Sequence, residues 1–220
     1  MSGGEIMIIK NRNINIIYKL VIVFCALFGI LTQCGAFYGF SKPDKLYYYT
    51  NISNFACAVY FFFAAVSLIK GKSGFAAQAR GAVIMAITVT GLIYHFMLSQ
   101  YFYLQDTTVL SNTLVHYVVP ALSFFDWILF EEKGSYKKHS PFLWVLFPNG
   151  YFVFVLVCVA LGASMGIDSR FPYPFIDIDL LGAGRVALNV VVLNILFILL
   201  GFIFVLADAC MHRLCEKRKR

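Results

Sequence analysis

The chain has 220 residues, of which 60% are hydrophobic and only 13% charged, with a formal net charge of +7. A soluble domain of this size needs a polar skin, and so apolar a composition excludes one. The basic residues form short clusters between apolar runs, a topology signal that excludes a continuous phosphate-binding face for nucleic acid.

A spanning helix needs about 20 predominantly apolar residues to cross about 30 Å of hydrocarbon. Six runs meet this need, at roughly 16–41, 46–69, 81–105, 107–130, 141–167 and 186–208. The expected fold is an all-α membrane protein, a six-transmembrane-helix bundle forming one integral membrane domain over residues 1–220. The first run follows Lys10, Arg12 and Lys19 and contains Leu31-Thr32-Gln33-Cys34, a shape shared with cleaved lipoprotein signals. Gln33 stands where cleavage needs a small residue, so an uncleaved anchor is expected. The second run carries Thr50 and Asn54, and the third carries His95. The fourth carries Asn112 and His116 and continues to Asp126-Trp127, read as an inner-interface anchor or a buried pairing group. Pro148-Asn149-Gly150 interrupts the fifth, as a kink or as the true start of the helix. Between the fifth and sixth lies Arg170-Phe171-Pro172-Tyr173-Pro174-Phe175, then Asp177 and Asp179. Proline favours extended or turn backbone and the rings suit a membrane–water interface, so this is an interfacial loop or, more sharply, a lid over an outer-leaflet opening. The sixth run carries Asn189 and Asn194 in its first half.

The basic residues alternate between the polar segments. Lys10, Arg12 and Lys19 precede the first helix, and Lys70, Lys72 and Arg80 follow the second. Lys133, Lys137 and Lys138 follow the fourth, and Arg213, Lys217, Arg218, Lys219 and Arg220 end the chain. The other connections hold only Lys42, Lys45, Arg170 and Arg185. Basic residues are retained on the cytoplasmic side, so a multi-pass cell-membrane protein with both termini cytoplasmic is expected. The six cysteines (Cys25, Cys34, Cys57, Cys158, Cys210 and Cys215) show neither paired metal-ligand spacing nor disulfide-scaffold density, and read as apolar thiols.

Polar side chains in spanning helices usually face a bundle interior or a cavity. At about 1.5 Å per residue, Thr50 lies about 6 Å and Asn54 about 12 Å below the outer end of the second helix. Asn112 and His116 reach similar depths, and His95 lies about 15 Å down the third helix. Thr50 and Asn54 are four apart, as are Asn112 and His116, so each pair shares one helical face. These five side chains fit two readings: the lining of one outer-leaflet cavity, or hydrogen-bonding glue between helices. A metal or haem site on His95 and His116 ranks a distant third, so neither metal nor cofactor is expected.

Several segments carry a family resemblance: Tyr49-Thr50-Asn51-Ile52-Ser53-Asn54, Asn112-Thr113-Leu114-Val115-His116-Tyr117-Val118-Val119-Pro120, Tyr94-His95, Phe125-Asp126-Trp127 and Phe171-Pro172-Tyr173-Pro174-Phe175. Together they resemble bacterial six-transmembrane-helix proteins of the superfamily that holds the androgen-induced gene and androgen-dependent TFPI-regulating protein family. The likeness covers helices two to six. Toward the eukaryotic members it narrows to the helix-two Thr and the Asn-x-x-x-His-x-x-x-Pro pattern of helix four, and the residues around Thr50 differ from theirs. The resemblance implies an intramembrane threonine hydrolase that cleaves fatty acid esters of hydroxy fatty acids, with Thr50 as nucleophile and His116 as general base. Oxyanion or substrate-pocket candidates are then Asn54, His95 and Asn112. The expected partner is a membrane lipid or lipid ester. The competing expectation is a non-catalytic carrier or receptor that holds a lipid or small apolar ligand in the same pocket.

Overall fold

The computed structural model describes residues 9–37, 42–72, 74–99, 109–166 and 169–217. Among them all regular structure is helical, and six helices are long and apolar enough to cross a membrane. These are α1 (Arg12–Gln33), α2 (Tyr49–Ile69), α3 (Ala77–Leu98), α4 (Val109–Phe130), α5 (Ser140–Ala160) and α6 (Ala183–Lys217). Large apolar side chains such as Phe24, Phe62, Phe125 and Leu199 stand exposed on the outside. In water they would be an aggregation hazard, whereas hydrocarbon accommodates them.

Local chemistry sets the helix ends. Asn11 caps α1, its side-chain oxygen accepting from the N–H groups of Asn13 (3.0 Å) and Ile14 (3.1 Å). That cap starts α1 at Arg12, earlier than the expected 16, and the helix ends at Gln33. Part of the expected extension to 41, and of the third helix to 105, lies outside the described residues. The fifth helix begins at Ser140 with Pro141 in its first turn, and its break falls at Val145. Pro148 has no N–H for the Trp144 carbonyl, so the ladder is disturbed one turn before the proline and the helix runs on through Asn149-Gly150. α6 extends past the expected 208 to Lys217; its 35 residues span about 52 Å, more than a bilayer core needs.

The beginning of α1 lies beside the end of α2, where Arg12 Nη2 donates to the Ile69 carbonyl at 2.5 Å. The ends of α4 and α6 meet through Trp127 Nε1, which donates to Asp208 Oδ1 at 3.3 Å. The start of α1 and the end of α6 therefore lie at one end of the bundle, the terminal end. The other, the loop end, carries the start of α2, the start of α4 and the proline-rich segment. α3 packs against α2, α4, α5 and α6 and is the most enclosed helix, while α6 is the least.

The terminal end holds charges inside the bundle. Lys19 and Arg80, assigned by the sequence to polar segments, lie within α1 and α3 and are each 1% exposed. Lys19 Nζ donates to both Asp126 oxygens (2.7 and 2.8 Å) and to Glu131 Oε1 (2.8 Å), and Arg80 pairs with Glu131 Oε2. Asp126 is thus a buried pairing group rather than an interfacial anchor. Two cations face two carboxylates, with the Phe61 ring against Lys19 and the Tyr136 ring against Arg80, each at 5.6 Å.

Candidate functional site

Thr50 is the second residue of α2. A threonine inside a membrane helix ordinarily bonds a carbonyl on its own preceding turn. Thr32 does so to Phe28 and Gly29 (both 2.8 Å), and Thr90 to Ala86 (3.2 Å). The turn before Thr50, a 3₁₀ turn over Pro43–Tyr47, is separated from α2 by the extended Tyr48, so Thr50 has no preceding turn of its own helix. Its hydroxyl looks across the bundle and meets Nε2 of His116 at 3.2 Å, with both residues buried.

The backbone of α4 aims that imidazole. Pro120 has no N–H, so the carbonyl of His116, four residues earlier, loses its helical donor. The helix widens into a π-turn over Leu114–Val118, and the Val119 N–H reaches back to the Leu114 carbonyl. This leaves the Val115 carbonyl without a main-chain donor, because its α partner has gone to Leu114 and its π partner would be Pro120. Asn54 fills the gap: its Nδ2 donates to Val115 O (3.1 Å) and to Thr50 O (2.8 Å). Two glycines let neighbouring helices approach the same turn. A Cβ at Gly29 would lie 2.6 Å from Val115 Cγ1, and one at Gly91 would lie 2.9 Å from the His116 carbonyl oxygen.

The other ring nitrogen decides the tautomer. His116 Nδ1 lies 3.1 Å from the Asn112 carbonyl oxygen, which can only accept. In the neutral imidazole the proton therefore sits on Nδ1, and Nε2 presents a lone pair to the Thr50 hydroxyl. Tyr94 stacks flat on the imidazole at 3.7 Å between ring centroids and 13° between planes, holding it from one face.

The five sequence candidates separate. Thr50 and His116 come together. Asn112 orients His116 through its backbone carbonyl, while its side chain accepts from Gln33 Nε2 at 3.4 Å. Asn54 braces the π-turn, with both amide hydrogens engaged and none left for an oxyanion. His95 does not join the pair: it is exposed, with Nδ1 3.2 Å from the Tyr117 hydroxyl. Both nitrogens of His116 are occupied, so the His95–His116 metal or haem arrangement has no open ligand there. Among the described residues no group of three or more His, Cys, Asp or Glu side chains is arranged to hold a metal ion.

Thr50 also lines a cavity of about 680 Å³, counted to its open mouth, between α2, α3, α5, α6 and the proline-rich segment. Its walls are mainly apolar, with Asn149 and Asn194 bonded reciprocally across α5 and α6 at 2.7 and 3.0 Å. That lining suits a small apolar ligand. The proline-rich segment is part of the wall. Asn189 Nδ2 holds the Phe175 carbonyl at 2.8 Å, Phe171 and Tyr173 are buried, and the Arg170–Asp179 ion pair stays outside at 2.6 Å. Burial pushes the Tyr173 phenol up to about 12, opposed by hydrogen-bonding groups of Thr50 and the Tyr49 backbone beside its oxygen. Tyr49 and Tyr151 line the same space, with buried hydroxyls that meet no hydrogen-bond partner among the described residues.

Sequence reasoning gave no site role to Tyr94 or Tyr151 and reached Tyr173 only as part of the interfacial loop or lid. An aromatic near a membrane surface carries no mark that separates an interfacial ring from a site ring. No family model, curated protein or solved structure matches the chain. The chemistry of the site rests on its own geometry.

Proposed function

We propose that this chain is a cell-membrane protein with both termini cytoplasmic that hydrolyses lipid esters of the fatty acid–hydroxy fatty acid class in the outer leaflet. The observation that carries the reading is the buried Thr50–His116 contact at 3.2 Å, with Nδ1 committed to the Asn112 carbonyl. A hydroxyl is a weak nucleophile until a base takes its proton during attack, and Nε2 is aligned for that transfer. Thr50 Oγ1 would add to the ester carbonyl as its proton passes to His116. The tetrahedral intermediate would then expel the alcohol, protonated by His116, and leave an acyl-threonine. Water, deprotonated by the same nitrogen, would release the fatty acid and restore the hydroxyl. The oxyanion needs donors, and the Tyr173 hydroxyl beside Thr50 is the candidate, since both amide hydrogens of Asn54 are engaged and His95 is exposed.

The test is turnover of a lipid ester and labelling by a fluorophosphonate-type probe, using purified wild type, Thr50→Ala and His116→Ala. Loss of at least about 10²-fold in both variants is expected, the range of a general base. Turnover retained in both, or no wild-type turnover, removes the hydrolase reading. A second reading has its own support: Thr50 lines the cavity but His116 does not, so a carrier or receptor could use the same space without chemistry. A co-purified apolar ligand recovered chemically unchanged, from a protein without turnover, supports that reading.

A further inference from the structure

A second cavity opens at the terminal end, remote from Thr50, between the start of α1, the end of α2 and the segment after α4. It is a built feature, because the Ile9 N–H donates to the Leu129 carbonyl at 2.9 Å and Arg12 is tied to Ile69. Its charges are ordered by depth. The exposed side chains around it are cations: Lys10, Arg12 and Lys72. Deeper lie acceptors: Asn15, 5% exposed, whose Oδ1 has no hydrogen-bond partner among the described residues, with Glu131 and the half-buried Glu132. Glu131 is already answered by Lys19 and Arg80. Among the described residues Glu132 makes no ion pair, so Glu132 and Asn15 are the open acceptors.

Such a site suits a ligand with a hydrogen-bond-donating cation at its tip and an anion behind it. A phosphate alone would meet the carboxylates and leave the Asn15 oxygen unsatisfied. A choline headgroup brings a cation without N–H donors. The cavity lies where six membrane-length helices end, the depth of lipid headgroups. We propose that it binds the headgroup of an ethanolamine phospholipid, with the ammonium on Asn15 and Glu132 and the phosphodiester between Lys10, Arg12 and Lys72. An ammonium has three donors, enough for both acceptors, and the basic rim adds the attraction that polybasic segments have for phosphate. This site is independent of the hydrolase reading.

The test uses the full-length protein with four lipids of identical acyl chains: phosphatidylethanolamine, its N-methyl and N,N-dimethyl forms, and phosphatidylcholine. They share phosphate and net charge and differ in the number of N–H donors. Retention per protein is read by native mass spectrometry and stabilisation by the thermal midpoint. Retention should fall along the series, on the order of tenfold from first to last, the size of one charge-assisted hydrogen bond. Glu132→Gln and Asn15→Leu should each erase most of that preference. Asn15→Leu should leave lipid-free stability unchanged or raised, because it removes an unpartnered buried acceptor. Lys10→Ala with Lys72→Ala should weaken all four lipids alike. Soluble phosphoethanolamine, the free form of the headgroup, should bind roughly tenfold more weakly, for want of acyl chains in the bilayer. Equal retention of the ethanolamine and choline lipids overturns the proposal. So does a preference unchanged in both Glu132→Gln and Asn15→Leu, or soluble phosphoethanolamine binding as tightly as the lipid.

Discussion

The two ends of this bundle bury polar groups in opposite ways. At the terminal end the groups are fully charged and matched, with Lys19 and Arg80 facing Asp126 and Glu131 at close range. At the loop end they are neutral, joined by hydrogen bonds alone, and partly open: Thr50 lines a cavity, and among the described residues the Tyr49 and Tyr151 hydroxyls have no partner. Charge inside a membrane is the usual pointer to function. Here the charged cluster ties α1, α3 and α4 together with its charges balanced, the pattern of a brace. The weaker, neutral pair is the one with an unprotonated nitrogen, a hydroxyl and adjacent space. The seam between α2 and α4 joins the two ends in steps, through Thr50–His116, Asn54–Val115 and Cys57–Ser123 (3.1 Å) toward Asp126.

That contrast predicts which substitutions harm stability and which harm chemistry. The largest effect on folding is expected from Lys19→Met, which leaves Asp126 as an uncompensated buried charge at about 3–5 kcal/mol. Adding Asp126→Leu should restore much of the loss, since apolar replacement of a whole buried pair is often neutral. Thermal melts in detergent give the comparison, and a single variant as stable as wild type would break the brace interpretation. Asn54→Leu comes next. It strips the donor from Val115, costing about 1–3 kcal/mol, and should reduce turnover further because that carbonyl belongs to the turn carrying His116. Thr50→Ala removes one hydrogen bond, about 1 kcal/mol, yet should abolish turnover. The smallest effect is on pH response. Burial works against ionised Glu131, but Lys19, Arg80 and Lys133 hold it below its ordinary 4.5. A depressed carboxylate contributes stability above its unfolded value and loses it as pH falls through the folded one. The thermal midpoint should therefore hold on this account above about pH 4.5 and decline below it, and Glu131→Gln should remove that part of the decline.

Much of the architecture was legible in the sequence because hydrocarbon thickness is a hard ruler. Uncharged runs near twenty residues can be counted, and a four-residue spacing puts Thr50 with Asn54 and Asn112 with His116 on single faces. Lys19 and Arg80 were not legible as buried, since a lone cation near the end of an apolar run looks the same whether it meets water or a carboxylate. His95 shows a further limit. Depth placed it beside the pair, but depth says nothing about direction around the helix. At the π-turn over Tyr94–Leu98 it is Tyr94 that turns onto His116, while His95 turns outward.

By itself the sequence determined six apolar spans, the alternation of basic segments and the faces that carry polar residues. Each follows from local properties: length, charge and helical period. Tertiary structure decided that α2 and α4 are neighbours, that Asn112 acts through its carbonyl and Asn54 through a π-turn, and that Tyr173 reaches Thr50 from a loop 123 positions away. Those contacts depend on which helices touch and how each is rotated, which packing sets and local sequence does not encode.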